Sequence, residues 1–355
     1  MRLSLVYLGF VSVALAARPF LNEPDTAIED DFGDLPAGVL PDLSKIVGLP
    51  DFNWAARRYM NISAYTFYQT GSAGEWSYRN NLEGAAAENI LYVPSLFATL
   101  SIEDIAAAKN TSQVIFQQVY LDSNDTATQL LFNRIERSGA KAIVYTVDAP
   151  ADGNRHRAAH FGANSKQAEF LHEELAYTLI TWDIYKQLQT MTMLPIIIKG
   201  IGSVEDAHAA VAAGAPGIIL SNHGGQQLDG SSSSLEIALE IHKEALEVFT
   251  QTEVFADGGV RYGANVLKLL ALGVRAVSIG QPFIFSNVYG KDGVVRAIQL
   301  LKCEIAGDAA NLGLGDLKKI DASYISEVDA KPLVRLKATK QIEHILRYGV
   351  HQPGL

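Results

Sequence analysis

The sequence predicts an α/β chain of the (β/α)8 TIM-barrel type, with the first barrel strand missing or shortened. Three observations carry that expectation. From Glu88 onward, short runs rich in Val and Ile alternate with helix-length segments of Ala, Leu and charged residues. The runs are almost continuously apolar, as in a parallel sheet buried on both faces, and their C-terminal ends gather polar or glycine-bearing motifs. A doubly wound sheet would concentrate its site at one switch point instead, and no G-x-G-x-x-G opens a strand–helix unit here.

The first residues read as an address rather than as part of the fold. Arg2 precedes the apolar run Leu3 to Leu15, and Ala14-Leu15-Ala16 closes it, so residues 1–17 have the pattern of a secretory signal peptide. The run is short for a membrane span. Sequons at Asn61, Asn110 and Asn124 suit the same route to a secreted or secretory-lumen location. Residues 18–50, with Pro, Gly and the acidic run Glu29-Asp30-Asp31, read as an extended leader, and organised structure is expected from about Asp51. Residues 51–322 form the expected barrel domain. Residues 323–355 form a C-terminal extension that would cover the barrel or a neighbouring subunit.

Seven runs are strand candidates: Ile90 to Val93, Val114 to Leu121, Ala142 to Val147, Pro195 to Lys199, Gly217 to Leu220, Val254 to Ala256 and Ala276 to Ile279. Alternation with helices implies right-handed βαβ units. A closed barrel needs one strand more. The formal net charge of -10 argues against nucleic acid or an anionic membrane as partner and leaves a small-molecule substrate. Cys303 is the only cysteine, which excludes an intrachain disulfide and a Cys-built metal site; it is expected to be a buried helix residue. No metal is assigned.

The chemistry is concentrated after the fifth run, in Ser221-Asn222-His223-Gly224-Gly225-Gln226-Gln227-Leu228-Asp229. A histidine there suits proton transfer near neutrality. Asp148, after the third run, either holds the imidazole in one tautomer or caps the following helix. Lys199 ends an apolar strand, so it needs an anionic partner or an exit to solvent. Asp257-Gly258-Gly259-Val260-Arg261 and Ser278-Ile279-Gly280-Gln281 fall on the last two runs. There they read as a phosphate cradle or as two tight turns beside a surface arginine.

Taken in order, Tyr65 to Gly71, Gln118-Val119-Tyr120, Thr146-Val147-Asp148, Pro195 to Gly200, Ser221 to Asp229, Asp257 to Arg261 and Ile279 to Pro282 resemble the FMN-dependent 2-hydroxy-acid oxidases and dehydrogenases, the family of glycolate oxidase, lactate oxidase and the flavin domain of flavocytochrome b2. The resemblance spans about Asp51 to Asp321. It implies FMN as cofactor, His223 as active-site base, Asp148 as its partner and Tyr120 as the group orienting the substrate hydroxyl. It further implies that Lys199 stabilises negative charge on the reduced flavin and that Gln118, Thr146 and Ser221 lie against its ring. Asp257, Gly258, Gly259, Arg261 and Gly280 would hold the ribityl phosphate, and Arg155 would lie on the loop after Asp148. A homo-oligomer is also implied.

Several positions depart from the family pattern. Gln226 stands where the family has Arg and Phe67 where it has Tyr, and these two clamp the substrate carboxylate, the Arg through a charge-assisted pair. Their loss suits an ester, amide or other uncharged derivative. Gln281 replaces an arginine near the phosphate, and Phe97 replaces a Trp. Tyr78 to Gly84 runs almost directly into Ala85, leaving no room for the first barrel strand. An omitted exon, a degenerate relative and a strand replaced from the leader are the competing explanations. Two functions follow: an FMN-dependent oxidoreductase acting on the CH–OH group of a 2-hydroxy acid or related derivative, or a secreted, catalytically impaired relative on the same barrel. An FMN-independent phosphate-ligand isomerase would explain His223 to Gln227 poorly.

Overall fold

The computed structural model describes residues 26–65, 88–98, 100–121, 124–151, 153 and 180–325. The expected signal peptide, Phe67, Arg155 and residues 326–355 of the C-terminal extension lie outside the described residues. Six parallel strands form one sheet in chain order: β1 Phe116–Val119, β2 Ala142–Thr146, β3 Ile196–Ile201, β4 Gly217–Leu220, β5 Glu253–Ala256 and β6 Ala276–Val277. The run from Ile90 to Val93 lies beside β1 but makes only one bridge, Tyr92 to Ile115. Around that bridge, Val114 O accepts from Tyr92 N at 3.1 Å and Tyr92 O from Phe116 N at 3.1 Å. All seven expected runs therefore take their places in sequence order. No eighth strand occurs among the described residues, and none of them joins β6 to the Tyr92 segment. With a partner on one side only, β6 shrinks to two residues, and Ala276 is exposed.

Alternation along each strand divides the side chains between two cores. Ala142, Val144, Ile197 and Ile219 pack with Val93, Phe116 and Phe255 on the inner face. Ile143, Tyr145, Ile196, Ile198, Ile218, Leu220 and Val254 join the main core under the helices. Those helices begin where the sequence supplies a capping side chain. Ser101, Asn124, Thr181, Ser203 and Ser233 accept backbone N–H groups at the starts of Ile102–Ala108, Asp125–Arg137, Trp182–Thr190, Val204–Ala212 and Ser234–Glu244. No helix among the described residues is long and apolar enough to cross a membrane.

Two expectations are corrected. The stretch expected to be an extended leader is organised from Thr26: it contains the helix Ile28–Phe32, and Ile46 and Leu49 are buried in the main core ahead of the helix Leu49–Tyr59. Within that stretch Asp42 caps the turn Leu43–Lys45, its carboxylate accepting from Ser44 N at 2.8 Å. The buried Asp51 carboxylate accepts from Val47 N at 2.8 Å and Gly48 N at 3.0 Å, while Ile46 O accepts from the Arg296 guanidinium at 3.1 Å. Cys303, expected to be buried, is exposed on the long helix Gly290–Asn311. The buried stripe of that helix runs through Val294, Ala297, Ile298 and Leu301. Two residues further on, the chain has turned by about 200°, which places Cys303 on the solvent side.

Candidate active site

The sheet brings the polar strand ends to one edge. Asp148 follows β2, Lys199 lies inside β3, Ser221 follows β4 and Asp257 follows β5. Lys199 is re-aimed by an irregularity in β3, where the register against β4 shifts between Lys199 and Ile201. Gly200 makes that possible. Its φ is +114°, and a Cβ built there would stand 2.6 Å from Asp148 Cβ and 2.7 Å from Asp148 N. Gly200→Ala is therefore expected to cost at least about 1–3 kcal/mol through backbone strain alone and to push Asp148 off its partners. Urea denaturation checks this, and an unchanged midpoint would show that the strand end shifts freely.

Three side chains meet around the buried Asp148. His223 Nδ1 lies 2.8 Å from Asp148 Oδ1, and Lys199 Nζ donates to Asp148 Oδ2 at 3.3 Å and to Ser221 Oγ at 2.9 Å. The same Ser221 Oγ accepts from His223 N at 3.0 Å. Of the two roles open to Asp148, the geometry selects the imidazole partner. With Nδ1–H directed to a carboxylate, the neutral ring carries its lone pair on Nε2, a tautomer assigned from this bonding pattern. Nε2 faces Tyr120 OH at 3.4 Å. Burial alone would raise the Asp148 pKa, but Lys199 and the bonds from His223 and Ser221 hold it below the ordinary 3.8. Burial likewise opposes the charge on Lys199. The carboxylates of Asp257 and Asp148 outweigh it and push the Lys199 pKa above its ordinary value of 10.5.

The loop that carries His223 is held in an unusual conformation. His223, Gly224 and Gly225 have φ of +56°, +66° and +72°, a left-handed run that only the glycines adopt without cost. Asn222 stabilises it, its side chain accepting from Gly225 N at 3.0 Å. Gln227 Nε2 donates to Ala151 O at 2.8 Å, tying this loop to the one after Asp148. Gln226 donates its N–H to His223 O at 3.3 Å, and its carbonyl packs so closely on Gly153 that a Cβ there would lie 2.2 Å away. Sequence reasoning did not assign roles to Asn222, Gln227, Gly153 or Gly200. The Asn-His-Gly-Gly order carried a turn signal, whereas the inter-loop contacts have no local signature.

The residues expected to hold a flavin divide into two groups. Gln118 and Thr146 are buried side by side, Gln118 Nε2 donating to Thr146 Oγ1 at 2.9 Å and Gln118 Oε1 accepting from Leu96 N at 3.0 Å. Further along, Arg261 Nη2 donates to Gln281 Oε1 at 2.8 Å, which joins the turn after β5 to that after β6. Gly258 and Gly259 have φ of +85° and +74°, and no atom lies within 4 Å of where a Cβ would stand on Gly259 or Gly280. That open space beside an arginine fits a phosphate, and the buried Lys199 ammonium fits a ring that gains negative charge. Asp257 does not fit the phosphate role implied for it: its Oδ2 lies 3.5 Å from Lys199 Nζ, and a carboxylate repels an anion. On the substrate side, the exposed Phe97 ring stacks on Tyr120 with centroids 5.2 Å apart.

Comparison with known proteins agrees with this arrangement. The family profile described as FMN-dependent dehydrogenase matches residues 81–173 and 159–327. The cytochrome-type L-lactate dehydrogenase of Saccharomyces cerevisiae is 29% identical over 79% of this chain and 61% of its own. 2-Hydroxyacid oxidase 2 of Mus musculus is 36% identical over 70% of this chain and 73% of its own. The chain spans less than two thirds of the cytochrome-type enzymes, 61% of the Saccharomyces protein and 44% of that from Wickerhamomyces anomalus. Among solved structures, the flavin-binding domain of baker's yeast flavocytochrome b2 superposes with a TM-score of 0.73 at 27% identity, covering 93% of this chain and 97% of that one. A mandelate oxidase superposes with a TM-score of 0.66 at 27% identity over 77% of this chain and 96% of that one. The profile match over residues 81–173 and 159–327 and the 36% identity to 2-hydroxyacid oxidase 2 over 70% of the chain show that it belongs to the FMN-dependent dehydrogenase family.

Proposed function

We propose that the protein oxidises the CH–OH carbon of a 2-hydroxy acid, or of a related ester, amide or uncharged derivative, with FMN as cofactor. The observation that carries this reading is the 2.8 Å contact between His223 Nδ1 and Asp148, which leaves Nε2 beside Tyr120 with the Lys199 ammonium close behind. A scaffold alone has no need of that set, which favours the enzyme over the impaired relative. FMN, held by Lys199, Gln118, Thr146, Gly259, Gly280 and Arg261, supplies the two-electron acceptor when bound. His223 Nε2 takes a substrate proton, and Asp148, kept ionised by Lys199, stabilises the imidazolium that results. Tyr120 OH, beside Nε2, orients the substrate hydroxyl, and the Phe97 ring shields that side from water.

Formation of the 2-oxo product from a 2-hydroxy acid or its methyl ester, followed by chromatography, tests the reading; absence of product from every such compound would overturn it. Substrate choice falls to the Gln226 loop. Gln226→Arg with Phe67→Tyr is expected to raise kcat/KM for free 2-hydroxy acids by roughly 10–100-fold, the worth of a charge-assisted bond, while the methyl ester gains nothing. Equal gains on both would show that the change does not act on the carboxylate.

The secretory route belongs to the same proposal. Asn61, Asn110 and Asn124 are all exposed, and Asn124 Oδ1 caps its helix by accepting from Ala127 N at 3.0 Å. A mobility shift on enzymatic deglycosylation of the secreted protein tests this, and cell-retained, unglycosylated protein would refute it. Sizing of the same protein tests for a homo-oligomer.

A further inference from the structure

We infer that Asp257 is a positioning residue for Lys199, a second counterion that shares the ammonium with Asp148 and so leaves Asp148 free to hold His223. The inference deepens the proposed function and rests on that reading of the site. Lys199 Nζ lies between two carboxylates on separate strand ends, 3.3 Å from Asp148 Oδ2 and 3.5 Å from Asp257 Oδ2, and both contacts are largely shielded from water. Asp148 already receives His223 Nδ1 on its other oxygen at 2.8 Å. One carboxylate would thus serve a full cation and the imidazole at once. The ammonium would then compete directly with the imidazolium that forms during proton transfer.

Asp257 relieves that competition from the far side. Its own backbone is fixed to do so: Asp257 N donates to Leu220 O at 3.1 Å, and its carbonyl accepts from Ser234 Oγ. The titratable groups facing Lys199 are Asp148 from the loop after β2, Asp257 from the loop after β5 and Tyr120 from the segment after β1, with His223 one step removed through Asp148. The two carboxylates, the ammonium and the imidazole then balance to one net negative charge with the imidazole neutral. That charge falls to zero when His223 takes a proton.

The test compares the wild type with Asp257→Asn, Asp257→Glu and Arg261→Ala. Lysines are labelled with 13C at Cε, and the Lys199 resonance is assigned by its loss in Lys199→Arg. Asp257→Asn is expected to lower the pH at which Lys199 loses its proton by about one unit or more, a tenfold change in proton affinity, and Asp257→Glu to restore it. FMN content on purification should stay at the wild-type level in Asp257→Asn and fall in Arg261→Ala. An unmoved Lys199 titration in Asp257→Asn, or loss of FMN from Asp257→Asn to the extent seen in Arg261→Ala, would overturn the inference and return Asp257 to the cofactor's phosphate or ribityl chain. If the wild type itself carries no FMN, the functional reading fails, while the Lys199 titration still decides the role of Asp257.

Discussion

His223→Asn is expected to lower the rate of substrate-dependent flavin bleaching by about 10²–10⁴-fold, the usual contribution of a positioned general base, with FMN content unchanged. Asn keeps a polar side chain of similar reach to the backbone turn, so the left-handed run at residues 223–225 is preserved; Asn tolerates that conformation well. What disappears is Nε2, which lies 3.4 Å from Tyr120 OH. Stopped-flow absorbance under anaerobic conditions reads the effect directly. A variant that bleaches at the wild-type rate would remove His223 from the proton transfer.

Lys199→Met is expected to destabilise the fold by about 3–5 kcal/mol, because it leaves two carboxylates facing each other in a buried site with no cation between them. The loss is pH-dependent in a defined direction. The Asp148 pKa is held below 3.8 in the folded protein, so its share of stability is present above that value and is lost as pH falls through the depressed one. The Lys199 pKa is raised above 10.5, so its share is complete below that value and fades only as pH rises through the raised one. The deficit of Lys199→Met should be widest across the neutral range and should shrink on acidification from above pH 3.8, because without the ammonium burial and the facing carboxylate favour the protonated Asp148. Denaturant titrations of both proteins at neutral and acidic pH test this. A deficit that does not change with pH would mean that lost packing, rather than charge, explains it.

Much of the architecture was legible because β-strands buried on both faces must be apolar throughout. Gly217 to Leu220 matches β4 at both ends, and five other runs differ from their strands only at their ends. The Ile90 to Val93 segment reads as a strand in composition yet keeps a single bridge to the β1 segment, with no second neighbour among the described residues. The leader was misread for a different reason. Turn and acidic residues such as those around Asp51 look the same in a solvated linker and in a buried cap, and only Arg296 and Tyr289, some 250 residues away, show which it is.

The site shows the same division. His223, Lys199 and Tyr120 could be picked out because basic or phenolic groups at the ends of apolar strands demand an explanation. The partner of Lys199 could not. Asp257 sits in a glycine turn that resembles a phosphate loop, and the contact that reassigns it comes from the spacing of neighbouring strands rather than from anything nearby in sequence. Gly200 was hidden likewise, its necessity arising from the Asp148 backbone across the sheet.

The most direct test of the assembled site is the absorbance spectrum of the purified protein before and after anaerobic addition of a 2-hydroxy acid or its methyl ester. A working site predicts yellow protein with one FMN per chain whose flavin band is bleached by at least one of these compounds. Colourless protein that cannot be reconstituted with FMN would contradict it.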